Sequence, residues 1–128
     1  MNEIECRVDH VQVAAPAGCE AAARRFYGAL IGLTEVPKPE SMGRGGCWFR
    51  AANIEIHIGV MAGFEAATKA HIALCPQSLS ALDALAERLE GEGYPVLWDE
   101  RLPGARRFFS ADPWGNRIEL LVWTDPAR

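Results

Sequence analysis

The stretch Lys69-Ala70-His71-Ile72-Ala73-Leu74-Cys75 repeats the character of an earlier one, Val8-Asp9-His10-Val11-Gln12-Val13-Ala14. Each is rich in β-forming residues and carries one histidine near its start. A segment with the apolar spacing of a helix follows each stretch, at residues 20–31 and 79–90. Three β-rich runs then follow each helix. This order predicts an α+β protein of two βαβββ modules, at about residues 4–60 and 69–123, in a single domain spanning residues 1–128.

The two halves align by the spacing of marker residues. The spacing is 61 residues between His10 and His71 and between Gly32 and Gly93, 60 between Phe49 and Phe109, and 64 between Glu55 and Glu119. Four pairs in the same order favour a true repeat over coincidence. On this alignment Glu55 is the counterpart of Glu119, and the first strands of the modules are expected at residues 4–15 and 70–75.

Composition limits the classes of protein to which the chain can belong. Its 128 residues are 49% hydrophobic, which suffices for one compact core. The net charge is -4 and the basic residues are scattered, so no binding surface for nucleic acid or an anionic membrane is expected. There is no signal-like segment and no apolar run of about 20 residues, so we expect a cytoplasmic protein. The four cysteines form no Cys-x-x-Cys pair and are interpreted as reduced thiols.

Histidine and glutamate side chains are the candidates for chemistry. His10, His57 and His71 each lie in or beside a predicted strand, and alternation places Glu55 on the same face as His57. A single strand histidine is more often a hydrogen-bonded structural residue than a ligand, and Glu119 taken alone would be a solvated glutamate. Together, imidazoles and carboxylates suit a divalent ion such as zinc, nickel, manganese, iron or cobalt.

Several motifs resemble the vicinal oxygen chelate superfamily, which includes glyoxalases, bleomycin-resistance proteins and extradiol dioxygenases. The resemblance covers residues 8–121. It rests on four segments: Val8-Asp9-His10-Val11, Phe26-Tyr27-Gly28 with Leu30-Gly32-Leu33, Ala70-His71-Ile72-Ala73, and Asp112-Pro113-Trp114-Gly115-Asn116 through Leu120. It implies a cup-shaped, open-barrel mixed sheet with helices on its outer face, and a homodimer.

The resemblance also implies a set of metal ligands. It assigns His10, His71 and Glu119 to a divalent metal ion, and a fourth ligand to either Glu55 or His57. We favour His57, because burial costs a neutral imidazole less than an unpaired carboxylate. Glu119 or Glu55 would carry a proton during the reaction.

The implied function is that of a metal-dependent enzyme. It would chelate vicinal oxygens of a small substrate and stabilise an enediolate or oxyanion, in lyase, isomerase or transferase chemistry. Trp48 and Phe109 would line the substrate cavity, and Arg101 and Arg107 would hold an anionic group of the substrate. Two alternatives remain open: a metal-free, bleomycin-resistance-like protein that sequesters a small molecule, and a fold that serves only assembly.

Overall fold

The computed structural model describes residues 2–128. They form two compact units that divide between Phe64 and Glu65. The first unit contains strand β1 (His10–Ala15), helix α1 (Glu20–Ala23, continued in π-helical form over Arg24–Leu30), and strands β2 (Thr34–Val36), β3 (Cys47–Arg50) and β4 (Glu55–Val60), with a 3-10 turn at Glu40–Met42. The second contains β5 (Ile72–Leu74), α2 (Leu79–Gly91), β6 (Leu97–Asp99), β7 (Ala105–Ala111) and β8 (Arg117–Trp123). The α+β class and the βαβββ order of both modules are confirmed.

Each unit contains its own four-stranded mixed sheet, and the two sheets have the same topology. The strand order is β1-β4-β3-β2 in the first and β5-β8-β7-β6 in the second. The first strand of each module pairs in parallel with the last strand, and the other pairs are antiparallel. The helix and the two middle strands together form the long connection that this parallel pair requires.

The two first strands are shorter than the sequence predicts. Strand β1 begins at His10 rather than at residue 4, because its partner β4 begins only at Glu55 and the two residues are paired. Strand β5 covers only Ile72–Leu74, so His71 lies immediately before the strand. Residues 4–8 have no part of β4 opposite them, so they do not join the ladder of the first sheet.

One face of each sheet is the apolar core. In the first unit, Phe26, Tyr27 and Phe49 are buried together, with Tyr27 and Phe49 ring centroids 6.1 Å apart. In the second, α2 contacts β7 and β8 and buries Leu82 and Leu89. Because strand side chains alternate, the opposite face of each sheet carries the histidines and glutamates. Within residues 2–128, no helix has the length and apolar character needed to cross a bilayer.

The turn before β8 explains the most specific motif of the sequence. Asp112 is buried, and its Oδ1 accepts hydrogen bonds from the backbone N–H groups of Trp114 (3.1 Å) and Asn116 (2.8 Å), while its Oδ2 accepts from Asn116 Nδ2 (2.8 Å). Asn116 Oδ1 in turn accepts from the N–H of Ala67 at 2.9 Å. The motif is therefore a structural clasp that sets where β8 starts, and so where Glu119 lies.

Candidate functional site

His71 and Glu119 form a close pair in the second unit. His71 Nε2 lies 2.9 Å from Glu119 Oε1, and His71 Nδ1 lies 2.9 Å from the carbonyl oxygen of Lys69. A carbonyl and an ionised carboxylate only accept hydrogen bonds, so both ring nitrogens face acceptors. A neutral imidazole has one N–H, so it can donate to only one of these two acceptors.

Arg107 holds the other oxygen of Glu119. Its Nη1 donates to Glu119 Oε2 at 3.1 Å, and the two side chains are only 16% and 7% exposed. Its Nη2 also lies 3.6 Å from Asp99 Oδ1. Both carboxylate oxygens of Glu119 are thus engaged, which fixes the orientation of the group.

Asp99 extends this chain of charges to Arg101. Arg101 Nε donates to Asp99 Oδ2 at 2.8 Å. Hydrogen bonds from the side chain and backbone of Arg101 hold the pKa of Asp99 far below its usual range, with Arg107 adding a smaller electrostatic contribution. The two arginines predicted to hold a substrate anion are therefore each paired with a carboxylate of the protein. Their role in substrate binding remains a prediction.

A third arginine, which the sequence analysis did not select, has a different environment. The Arg117 guanidinium lies over the Phe109 ring, with Cζ 3.9 Å from the ring centroid. In the part of the chain that the structure describes, no carboxylate pairs with it. The signal that could have found it is strand alternation, since Arg117 is two positions before Glu119 on β8 and shares its face.

Arg117 and Phe109 border a cleft of about 400 Å³ in the second unit. Pro95, Leu97 and Ala111 contribute apolar lining, and Asp99 and Arg101 lie at its margin. The Phe109 ring also meets His71 edge to face, at a centroid distance of 5.7 Å. The cleft therefore adjoins the His71–Glu119 pair through one shared aromatic ring.

In the first unit, three aromatic rings are stacked. The His57 ring lies between Trp48 and His10, with centroid distances of 3.8 Å and 4.2 Å. His57 Nε2 lies 2.9 Å from Glu55 Oε1, and this hydrogen bond is the main reason that the pKa of Glu55 is lowered. His10 Nδ1 lies 3.0 Å from Asp9 Oδ2, which lowers the pKa of Asp9. The stack orients both imidazoles on the polar face of the sheet.

Strand register corrects the alignment of the two modules. On β4, His57 is opposite Gln12 of β1, and on β8, Glu119 is opposite Ala73 of β5. Since Gln12 and Ala73 are separated by the same 61 residues as His10 and His71, His57 is the counterpart of Glu119. The alignment of Glu55 with Glu119 is therefore wrong.

The middle strands agree with this correction. Trp48 is opposite His57, and Phe109 is opposite Glu119. Trp48 is thus the counterpart of Phe109, and the pairing of Phe49 with Phe109 is wrong by one residue. Because a one-residue shift moves a side chain to the other face of a sheet, this error exchanged a core residue for a residue of the site.

The side chains present fit a divalent metal ion in donor chemistry. The Nδ1–H of His71 can donate to a backbone carbonyl, the usual arrangement that leaves Nε2 free to bind a metal ion, and Glu119 presents an oxygen beside it. Within residues 2–64, and likewise within residues 65–128, no group of three or more histidine, cysteine, aspartate or glutamate side chains is placed to hold an ion. In the second unit, His71 and Glu119 are a pair of donors.

Comparison with known proteins identifies the family. No family model and no curated protein matches the chain. Among solved structures, a protein described as belonging to the glyoxalase family, from Bacillus anthracis, has 46% sequence identity and a TM-score of 0.87, over 96% of this chain and 99% of that one. The fold is that of the vicinal oxygen chelate proteins. The chain belongs to the glyoxalase family within that superfamily.

More distant structures share the fold. One is a lactoylglutathione lyase from Agrobacterium tumefaciens, with 19% identity, a TM-score of 0.71, and coverage of 94% of this chain and 96% of that one. Another is TnmS3, an antibiotic binding protein from Streptomyces, with 18% identity, a TM-score of 0.73, and coverage of 95% and 99%. The same fold thus occurs both in an enzyme and in a binding protein.

Proposed function

We propose that the protein is a divalent-metal-dependent enzyme of the glyoxalase family, acting on a small substrate with two neighbouring oxygen atoms. The observation that carries this proposal is the His71–Glu119 pair, in which a nitrogen and an oxygen donor converge at 2.9 Å. A bound zinc, nickel, manganese, iron or cobalt ion would supply Lewis-acid stabilisation of an enediolate or oxyanion. Lyase, isomerase and transferase reactions that pass through such an anion require this stabilisation.

His71 and Glu119 would hold the metal ion from the second module, and His10 and His57 from the first. The choice of His57 over Glu55 is supported by its register, which makes it the counterpart of Glu119. Stacking between Trp48 and His10 would keep its ring from rotating. Glu55 would then be its hydrogen-bond partner, the kind of carboxylate that commonly orients a histidine ligand.

Glu55 is the better candidate for proton transfer. Both carboxylates have two partners, but Arg50 Nη2 lies 3.5 Å from Glu55 Oε2, whereas Arg107 Nη1 donates to Glu119 Oε2 at 3.1 Å. The Glu55 side chain is 28% exposed, against 7% for Glu119, so a substrate would reach its carboxylate oxygens more easily. A substrate proton would move to a Glu55 carboxylate oxygen.

A second candidate function is metal-free binding of a small molecule. It is favoured by the observation that His71 and His57 each already have a carboxylate partner, Glu119 and Glu55, at 2.9 Å. Both pairs are therefore complete as ion pairs if the imidazoles are protonated. On this reading the apolar cleft beside Phe109 would hold the ligand.

Metal content separates the two functions. The parent protein, purified without chelator and then offered nickel, zinc, manganese, iron(II) or cobalt in turn, is expected to retain a stoichiometric amount of at least one ion in elemental analysis. Absence of stoichiometric metal under all five conditions would refute the enzyme proposal and favour metal-free binding.

Variants then test the assignment of the ligands. Glu119→Gln is expected to weaken metal binding at least about tenfold, whereas Glu87→Gln, the same exchange on the exposed side of α2, should leave it unchanged. His71→Ala should abolish retention of the ion. His57→Ala should weaken binding more than Glu55→Gln, and the reverse order would make Glu55 the fourth ligand.

A further inference from the structure

We infer that the cleft beside Phe109 binds a substrate that consists of a carboxylate attached to a flat apolar body. Arg117 would be the cation that binds the carboxylate. The inference rests on the proposed function, because it names the class of substrate for the same site. It also goes beyond the sequence analysis, which selected Arg101 and Arg107 for this role.

The distribution of charges on this face of the second sheet leaves one cation in excess. Arg107 pairs with Glu119 and Arg101 pairs with Asp99, so two arginines are neutralised by two carboxylates. Among residues 2–128, Arg117 has no such partner. The cleft is therefore locally positive although the chain as a whole carries a net charge of -4. A local field of this kind attracts a small anion.

The geometry of Arg117 suits a carboxylate. Its guanidinium lies over the ring of Phe109, with Cζ 3.9 Å from the centroid, so the cation is held against an apolar surface. The N–H groups lie in the plane of the guanidinium and remain available at its edge, where they match the two oxygens of a carboxylate. The backbone of Arg117 is itself fixed, because its N–H donates to the carbonyl of Ala67 at 2.8 Å.

The remainder of the cleft suits a flat apolar body. Pro95, Leu97 and Ala111 line it together with Phe109, and its volume of about 400 Å³ is that of a small-molecule pocket. A single cation against an apolar wall favours one negative charge rather than the several charges of a phosphorylated ligand. Since Phe109 also contacts His71 edge to face, a ligand anchored at Arg117 would lie beside the His71–Glu119 pair.

Two probes that differ in charge test this inference. 1-Naphthoate and the neutral 1-naphthamide are titrated into the full chain by calorimetry at low salt, after chelator treatment so that no metal ion contributes to binding. The parent is expected to bind the carboxylate at least about tenfold more tightly than the amide, the preference typical of a charge-assisted hydrogen bond. Similar affinities for the two probes, or no binding of the carboxylate, would overturn the inference.

Variants of Arg117 and of an arginine outside the cleft show where the preference originates. Arg117→Gln should reduce the ratio of the two affinities to about one, and Arg117→Lys should keep part of it, because lysine retains the charge but not the fork of donors. Arg106→Gln is the matched control: it removes the same charge, but from a guanidinium that pairs with Asp83 at 3.0 Å and does not line the cleft. The control should keep the ratio within about threefold of the parent.

If both glutamine variants lose the preference equally, it arises from overall charge and the assignment to Arg117 fails. The result is separable from the proposed function, because metal retention is measured on its own. A protein that prefers naphthoate but never retains metal would sustain this site and refute the metal enzyme. A protein that retains metal without the preference would do the reverse.

Discussion

Arg107→Met tests how strongly the guanidinium of this residue stabilises the buried Glu119 carboxylate. In the parent, Arg107 Nη1 lies 3.1 Å from Glu119 Oε2, and both side chains are largely removed from solvent. Methionine can fill much of the space of the aliphatic stem but leaves the carboxylate without this cation. We therefore expect a loss of stability that replacement of Glu119 itself partly relieves.

The size of the effect follows from the contact. Two unit charges about 4 Å apart attract by about 4 kcal/mol at an effective dielectric constant of about 20. Removing one partner of a buried pair costs about 3–5 kcal/mol. Because Arg107 keeps 16% exposure, we expect the lower end, about 3 kcal/mol, for Arg107→Met. In a double-mutant cycle with Glu119→Gln, the coupling should be about 2 kcal/mol.

The assay is urea unfolding at pH 7 and 25 °C with chelator present, so that no metal ion stabilises Glu119. The matched control is the pair Arg106 and Asp83, also an arginine of β7 with a carboxylate at 3.0 Å, but about half exposed on both sides. Solvent screening should reduce the coupling of this pair to below about 0.5 kcal/mol. Equal coupling in the two cycles, or a buried pair that behaves additively, would refute the argument that burial gives the Arg107–Glu119 contact its strength.

Three further predictions concern the fold. Gly46→Ala should destabilise the protein by more than about 3 kcal/mol in thermal unfolding, because a Cβ would lie 2.1 Å from a backbone carbonyl oxygen. Gly18→Ala, with a similar positive φ but open space around it, should cost only about 1 kcal/mol, and equal losses would contradict the steric reasoning. Burial raises the pKa of Cys19 and of Cys47 to about 11, which disfavours the reactive thiolate. At pH 8 these two thiols should react with Ellman's reagent only after unfolding, whereas the other two react in the native protein; four fast thiols would be the opposite result. Asp112→Ala removes three hydrogen bonds from the turn before β8 and should lower stability by about 2–4 kcal/mol in urea unfolding; a loss below about 0.5 kcal/mol would show that the clasp is dispensable.

Much of the fold could be predicted from the sequence. The spacing of 61 residues between His10 and His71, shared by Gly32 and Gly93, indicated the repeat. Hydrophobic periodicity indicated the βαβββ order. Alternation also predicted that Glu55 and His57 share a face, which their 2.9 Å contact confirms. These features are local, since they depend on residues close together in the chain.

The sequence predicted the residue-by-residue alignment of the two modules less accurately than it predicted the order of their elements. Similar sequences around Glu55 and Glu119, each between apolar neighbours, suggested that they correspond, but the hydrogen-bond ladders make His57 the counterpart of Glu119. Register depends on pairing between strands that are distant in sequence. A glutamate flanked by isoleucines therefore fits either of two positions on the same face.

The sequence by itself determined the class, the repeat and the short list of imidazoles and carboxylates, because chain order and side-chain alternation are written in neighbouring residues. Only the tertiary structure decided which charges are already neutralised. Arg101 and Arg107 are paired with Asp99 and Glu119, while Arg117 is stacked on Phe109 without a carboxylate partner among the residues described. An ion pair requires two charges within a few ångströms of each other, and residues distant in the chain come this close only when the sheet has formed.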